Sequence, residues 1–470
     1  MKLLCLLLLL PLDSYAIFTK LYQGYKNSNR LKEISLNQQF SELDYSLNKN
    51  KYDWNLFADI GQTDSSLQNL FSFSSQRIIK NSKSLGISKD SFKYGSFQIS
   101  HEQTEYDLSN WSSGSLNSFN SDKVYEAKNV FSYTYEILND SNGLDWEIIH
   151  LQNKAENLGN KWTEDQDHLD FYNAYLGVKH QIMLDRLYKE FKAKARKRVR
   201  LIRKRVKDGL SRSVDLNQAN LALLNQEEQV LKNRAELRSK VAAIEEIIKI
   251  PIPESRYKEI NWTYKEYKKY SKYLEGTSYT ETERLKLLNK INEMNISKYD
   301  ESIGHSLGLS LSYAANAFDD QQGTAVDDSL SSTTVDKAIA LTYSIPLGLS
   351  NRSAVRKKMS LQKIKSDLSL RNRTGQLDVK VKVLNENIKR YNRGIKLNSE
   401  KIGFAEKVSK ENRRLYYRGK VSFEETLRAD ENLINTKISF MSMMYLYESS
   451  IAELAFLNGN ITSYLTAYRD

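Results

Sequence analysis

Two stretches of about 65 residues, 143 to 207 and 352 to 417, contain no proline and read as unbroken helix. At 1.5 Å per residue each is a rod of roughly 100 Å, several times the width of a small globular domain. The second rod carries a seven-residue register, with Thr374, Val381, Ile388, Ile395 and Ile402 at one position and Leu377, Leu384, Tyr391, Asn398 and Ala405 at the other. That pattern is coiled-coil packing with polar substitutions at Thr374 and Asn398. Each rod ends at a glycine, in "VKDGLSRSVDLNQA" (206 to 219) and "YYRGKVSFEETLRA" (416 to 429). Both place an acid six residues after the glycine (Asp215, Glu425) and an alanine four further on (Ala219, Ala429). Glycine accepts the left-handed backbone that reverses a chain at a helix end. Second helices, 214 to 249 and 423 to 458, then run back alongside, so Gly209 with Leu210 and Gly419 with Lys420 form hairpin tips. One such layout could be chance; two in matching contexts mark a duplicated unit.

Four stretches of about ten residues alternate with period two. In 52 to 61 Trp54, Leu56, Ala58 and Ile60 share a face; in 129 to 138 Phe131, Tyr133, Tyr135 and Ile137 do. In 305 to 314 the set is Leu307, Leu309, Leu311 and Tyr313, and in 337 to 346 it is Ile339, Leu341, Tyr343 and Ile345. Strands of this length cross an outer membrane when tilted, with Trp54, Tyr133, Leu309, Leu341 and Tyr343 facing lipid and Ser132, Thr134, Ala340 and Thr342 facing a wet bore. Four strands of a soluble sandwich fit the alternation equally well. Each half therefore reads helix (20 to 48; 281 to 300), strand, strand, rod, tip, returning helix.

Three of the 4 prolines sit at boundaries: Pro251 and Pro253 between the halves, Pro346 closing the last alternating stretch. The opening "MKLLCLLLLLPLDSYA" has a basic start, an apolar run of about ten residues and small residues at Ser14 and Ala16. It reads as a signal peptide cleaved after Ala16, the alternative being an anchoring helix, for which the apolar run is too short. The only cysteine, Cys5, lies inside it, so the exported chain has no disulfide and no Cys-based metal site. The net charge of +12 raises nucleic acid as a partner and export argues against it. No later segment has the length and apolarity of a membrane-spanning helix, so any membrane entry is as strands.

The domains follow: signal peptide 1 to 16, first repeat 17 to 250, an inter-repeat segment 251 to 280, second repeat 281 to 470. In the segment between repeats, Tyr264, Tyr267, Tyr270 and Tyr273 recur every third residue, as in an amphipathic helix laid on a bundle or a docking surface. Residues 64 to 122 read as a long external loop or hairpin. A strand at 93 to 106 is possible, but a fifth crossing would deliver the second rod to the wrong side of the membrane. Residues 318 to 336 read as an acidic, polar external turn.

With these features on the page, the chain resembles the TolC-like outer-membrane efflux protein family over almost its whole length. The tip motif carries most of the likeness: Val206, Gly209, Asp215 and Ala219 match the family's first tip, and Tyr416, Gly419, Glu425 and Ala429 its second. The resemblance implies a mixed fold with two internal repeats. Three chains contribute four strands each to one outer-membrane β-barrel, continued by an α-helical coiled-coil periplasmic tunnel. Closure by association is also what open strand edges in lipid require. The resemblance further implies a periplasmic gate in which Tyr416 bonds Asp215. Read without it, Tyr416 is a packing residue and Asp215 a helix-start acid. Two departures stand out: the family's arginine clamp position is Val421, opposite Val214, and paired acids of some members become Glu425 and Arg428.

The run "KEFKAKARKRVRLIRKRVK" (189 to 207) is a solvated helical face or a basic collar that steers anionic cargo or an acidic adaptor surface. Histidines 101, 150, 168, 180 and 305 are scattered, no catalytic motif is present, and "EDQDH" (164 to 168) reads as a solvated face. The expected protein is not an enzyme and needs no cofactor. It is the exit duct of a tripartite efflux pump or a type I secretion system, in the outer membrane with its helical part in the periplasm. Its partners are two further copies of itself, outer-membrane lipid, a periplasmic adaptor (membrane fusion) protein and, through that, an inner-membrane transporter. A coiled-coil envelope spacer without a pore and a stand-alone porin are the alternatives.

Overall fold

The computed structural model describes residues 16–66, 77–107, 123–138, 142–260, 279–302, 304–345 and 352–468. In chain order the elements are α1 (Ala16–Lys26), α2 (Asn29–Asn50), β1 (Trp54–Ser66), β2 (Arg77–Ser91), β3 (Gly95–Asp107), β4 (Lys123–Leu138), α3 (Asn142–Lys207) and α4 (Ser213–Ile248). A short 3₁₀ turn (Glu254–Glu259) leads on to α5 (Thr280–Ser302), β5 (Ser306–Asp319), α6 (Gln322–Ser331), β6 (Val335–Ser344), α7 (Arg352–Tyr417), α8 (Phe423–Leu457) and α9 (Ile461–Ala467). The signal-peptide cleavage region, Pro346 and the tyrosine repeat at 264 to 273 lie outside the described residues.

The chain divides into two compact units, one of residues 40–155 and 286–368, the other of residues up to 39, 156–285 and 369–470. The first holds a single antiparallel sheet in the order β1-β2-β3-β4-β5-β6. This corrects the four-strand expectation: the chain lays down six. A single added strand would indeed reverse the exit side of the second rod. The chain adds two, β2 and β3, joined by a turn at Gly95 with φ +77°, and the direction of β4 is preserved. The polar turn expected at 318 to 336 contains a helix, α6.

Register sorts the side chains onto two faces. One cross-strand row runs Leu56–Ile87–Ile99–Phe131–Tyr313–Lys337 and its neighbour Trp54–Lys89–Phe97–Tyr133–Leu311–Ile339. The opposite face carries rows such as Asn55–Ser88–Gln98–Ser132–Ser312–Ala338. Large apolar side chains thus concentrate on one face, towards the end from which α3 departs, while the opposite face is mostly small and polar but also carries Phe57, Val130 and Phe318. Farther out the first face turns polar. His101 bonds Asn129 at 2.7 Å and Lys123 pairs with Glu105, and α6 lies over this region through Asn129 Nδ2 donating to the Ser329 carbonyl and Gln322 to Gln103. Gly86 sits in mid-strand because a Cβ there would meet the Phe57 ring at 2.5 Å and the Ile99 carbonyl at 2.7 Å.

The second unit is helical. Its core joins Phe18, Tyr22 and Tyr25 of α1, Phe171, Tyr172 and Tyr175 of α3, Leu237, Val241 and Ile244 of α4, and Tyr447, Ile451 and Tyr464 near the C-terminus. On α7 the buried side chains include Leu377, Leu384, Ile388, Ile395, Asn398 and Ala405, the heptad positions of the sequence. α1 covers the "EDQDH" segment, so its solvated reading is corrected: Asp165, Asp167 and His168 are buried. Tyr25 donates to Asp167 at 2.8 Å and Arg30 pairs with the same carboxylate at 2.6 Å. Burial pushes the Asp165 carboxyl up to about 6 and the His168 imidazole down to about 4.

Candidate functional site: the hairpin tips

Both rods stop in the same way. Gly209 has φ +70° and Gly419 φ +71°. Leu210 N donates to the Arg205 carbonyl and Gly209 N to that of Val206; Lys420 N and Gly419 N repeat this to Leu415 and Tyr416. These are paired Schellman closures, which satisfy the last carbonyls of each rod. Nothing lies within 4 Å of where a Cβ would stand on either glycine, so backbone conformation alone dictates the residue. Leu210 and Lys420 are exposed at the turns.

The return helices begin differently. α8 starts with a complete capping box, Ser422 Oγ accepting from Glu425 N at 3.2 Å and Glu425 Oε2 accepting from Ser422 N at 2.8 Å. α4 starts at Arg212 with no side-chain cap, and Asp215 sits in its first turn, where the helix dipole favours an acid.

Tyr416 and Asp215 meet. The phenol donates to Asp215 Oδ2 at 3.1 Å, and Ser211 Oγ lies 3.1 Å from the same phenol oxygen. Asp215 is 5% exposed, and its other oxygen is 3.5 Å from the Arg212 guanidinium. The tyrosine ring packs on Phe423, Val199, Ile202 and Ala219, while Arg205 stacks across Tyr416 and Tyr417. Burial raises the Tyr416 phenol above its ordinary range and keeps it a neutral donor; Ser211 opposes this and Asp215 reinforces it.

Glu425 and Arg428 do not join this bond. Glu425 is held by the capping box and Arg428 by Glu424 at 2.6 Å, both on the exposed side of α8. Val421 packs into the apolar cluster around Tyr416, whereas Val214 is exposed.

Sequence reasoning missed a buried charge cluster farther from the tip. Asp430 of α8, 4% exposed, is paired with Arg198 of α3, with Arg413 of α7 at 3.2 Å and with Ser409 Oγ. Burial lowers the Arg198 guanidinium to about 10. A signal was present: Phe423, Thr426, Asp430 and Leu433 form one apolar stripe, and an acid in such a stripe needs a buried cation. The basic run is accordingly divided. Lys192 and Arg196 bind Glu227 of α4 at 3.1 and 2.8 Å and Arg198 binds Asp430, while Lys197, Arg200, Arg203, Lys204 and Lys207 are exposed.

Among the described residues no group of His, Cys, Asp and Glu could hold a metal ion, and no helix is long and apolar enough to cross a membrane. Trp54, Tyr133, Leu309, Leu341 and Tyr343 fall on the apolar face of the sheet; Ser132, Thr134, Ala340 and Thr342 fall on the other.

No protein-family profile and no curated protein matches the sequence. Solved structures do. The outer membrane protein VceC from Vibrio cholerae superposes with TM-score 0.67 at 12% identity, covering 94% of this chain and 96% of that one. The Campylobacter jejuni CmeC outer membrane channel matches with TM-score 0.65, 12% identity and coverage of 94% and 86%. The open-state Neisseria gonorrhoeae MtrE outer membrane channel matches with TM-score 0.65, 12% identity and coverage of 94% and 89%. With rods, tips and strands in this order, the chain has the TolC-like fold of these outer-membrane channel proteins.

Proposed function

We propose that this protein is the outer-membrane exit duct of a tripartite export system, passing small toxic compounds or secreted polypeptides. Three copies associate. Their strands form a barrel in the outer membrane and their helices a periplasmic tunnel. The observation that carries this reading is the sheet: near the helices one face is dominated by large apolar side chains, the other is mostly small and polar apart from residues such as Phe57 and Val130, and both edges are open. Lipid against the first face and water against the second use such a sheet fully, and an open edge in lipid is not tolerated.

The rods support the association. Opposite its buried stripe, α7 exposes Val379, Val383, Leu397, Phe404 and Val408, and α4 exposes Leu221, Leu224 and Leu231. Neighbouring copies would cover these seams. The Tyr416–Asp215 bond serves as a gate latch, and Glu425 and Arg428 line the constriction that it helps to close. A phenol donating to a carboxylate contributes about 1.5 to 3 kcal/mol. Three such latches acting together sum to about 5 to 9 kcal/mol, the scale needed to turn a closed population into an open one. Gly209, Leu210, Gly419 and Lys420 would meet a periplasmic adaptor protein, through which an inner-membrane transporter supplies the energy.

Single-channel conductance in planar bilayers tests this, comparing wild type with Asp215→Ala plus Tyr416→Phe. A small wild-type conductance and a clearly larger one for the variant is the expected result. If neither conducts despite confirmed insertion of trimers, the protein is a coiled-coil spacer and the duct reading fails.

A further inference from the structure

Resting on the trimer of the duct reading, we infer that the barrel has eighteen strands, closed by antiparallel pairing of β6 of one copy with β1 of the next. The four-strand family pattern would give twelve.

The sheet ends at β1 and β6, which do not pair with each other. Both are edges of 13 and 10 residues with no proline, and the one register shift in the sheet lies between β4 and β5, not at an edge. Their side chains include the most exposed large apolar residues of the described chain: Ile60 at 85%, Ile339 at 80% and Leu56 at 76%. Soluble edge strands are protected by bulges, prolines or charge on the exposed face. The charges of these edges, Asp59 and Asp64 of β1 and Asp336 and Lys337 of β6, leave the apolar face between Trp54 and Ile60 and between Ile339 and Tyr343 without charge, bulge or proline, as on strands awaiting a partner.

Direction fits closure. The five antiparallel pairings make β1 and β6 run oppositely, so β6 of one copy meets β1 of another as an antiparallel pair and no parallel seam arises. Height fits as well. The row of Leu56 lands on Lys337 of β6, and the apolar set there begins two residues later at Ile339. An apolar band that walks along the hydrogen-bonded rows is what strand tilt in a barrel produces. Matching the bands at the junction sets Leu56 opposite Leu341, or opposite a neighbour two residues away. At 4.8 Å between strands and a tilt near 40°, eighteen strands give a backbone diameter of about 36 Å, against about 24 Å for twelve. The polar rows of Ser, Gly and Thr would then line a bore of porin width.

The test uses cysteines in a Cys5→Ser background, where they are the only thiols. Leu56→Cys is combined in turn with Ile339→Cys, Leu341→Cys and Tyr343→Cys and oxidised in outer membranes. One pairing should give a covalent trimer on non-reducing gels, and no single cysteine should. If all three pairs stay monomeric while a lysine-reactive cross-linker still yields trimers, eighteen-strand closure is overturned and the duct reading survives. A covalent dimer as the end product overturns both. Strand counting in an electron-microscopy reconstruction of the unmodified protein decides independently of any variant: eighteen supports the inference and twelve overturns it.

Discussion

Asp430 offers a quantitative test of how the rods are held together above the tips. Its carboxylate is buried between three helices and faces two guanidinium groups, Arg198 and Arg413. Asp430→Ala would leave Arg198, itself only 12% exposed, without its counter-ion. Removing one partner of a buried pair costs about 3 to 5 kcal/mol, because the remaining charge stays desolvated. Since about 1.4 kcal/mol is a factor of ten, amides of α3 and α8 around the cluster should lose between about 10² and 10³·⁵ in hydrogen-exchange protection. Replacing Arg198→Met with Asp430→Leu removes the more deeply buried charge and leaves only Arg413, whose side chain is 38% exposed and reaches water, so it should recover most of that loss. Hydrogen exchange read by mass spectrometry on the detergent-solubilised protein follows both variants. If Asp430→Ala stays within tenfold of wild type, or if the double variant is no better than the single one, the cluster is not the buried brace described above.

Three further outcomes follow from particular residues. Gly209→Ala and Gly419→Ala each force an L side chain into the left-handed region and should destabilise the local hairpin by about 1 to 2 kcal/mol, read as faster exchange confined to the tip. Gly86→Ala should sharply lower the yield of assembled oligomer in heat-modifiability gels, since Phe57→Ala added to it relieves the ring contact but not the Ile99 carbonyl. The third concerns acid. Asp165, raised to about 6, favours the folded state as pH falls from 6 towards its ordinary value near 3.8. His168, lowered to about 4, loses stability as pH falls from 6.5 towards 4. Each is worth about 3 kcal/mol and they nearly cancel. His168→Gln should therefore raise the melting temperature at pH 5 relative to pH 7.5 where wild type changes little, and an equal acid response in both would refute the assignment.

What could be read from the sequence was what repeats over many residues or is forced by backbone geometry. The rods show because proline is absent and the Leu377–Leu384 heptads are regular; the tips show because Gly209 and Gly419 need positive φ. The strands β1, β4, β5 and β6 alternate cleanly near the helices. β2 did not show because "RIIKNSKSLGISKDS" sets lysine and asparagine among Ile79, Leu85 and Ile87 on the same face, and carries a glycine in the middle. Its polar outer half pairs with the equally polar outer halves of β1 and β3, so pattern alone gave no cue. The sequence leaves a hairpin at 64 to 122 open, but as an external one; β2 and β3 instead extend the sheet. The Tyr416–Asp215 contact was reachable only through the family resemblance, since residues 201 positions apart carry no local signal. The burial of His168 depends on α1 folding over it, which no periodicity within 164 to 168 reveals.

In the proposed duct the strands stand in a membrane with lipid on one face and water on the other. The most direct test places single cysteines along β1, β4 and β6 of the Cys5→Ser protein and asks which react with a membrane-impermeant thiol reagent in isolated outer membranes. Cysteines at Asn55, Ser132 and Ala340 should react and those at Leu56, Tyr133 and Leu341 should not, alternating with period two. Reaction on both faces would mean a sheet in water, and the outer-membrane duct would be wrong.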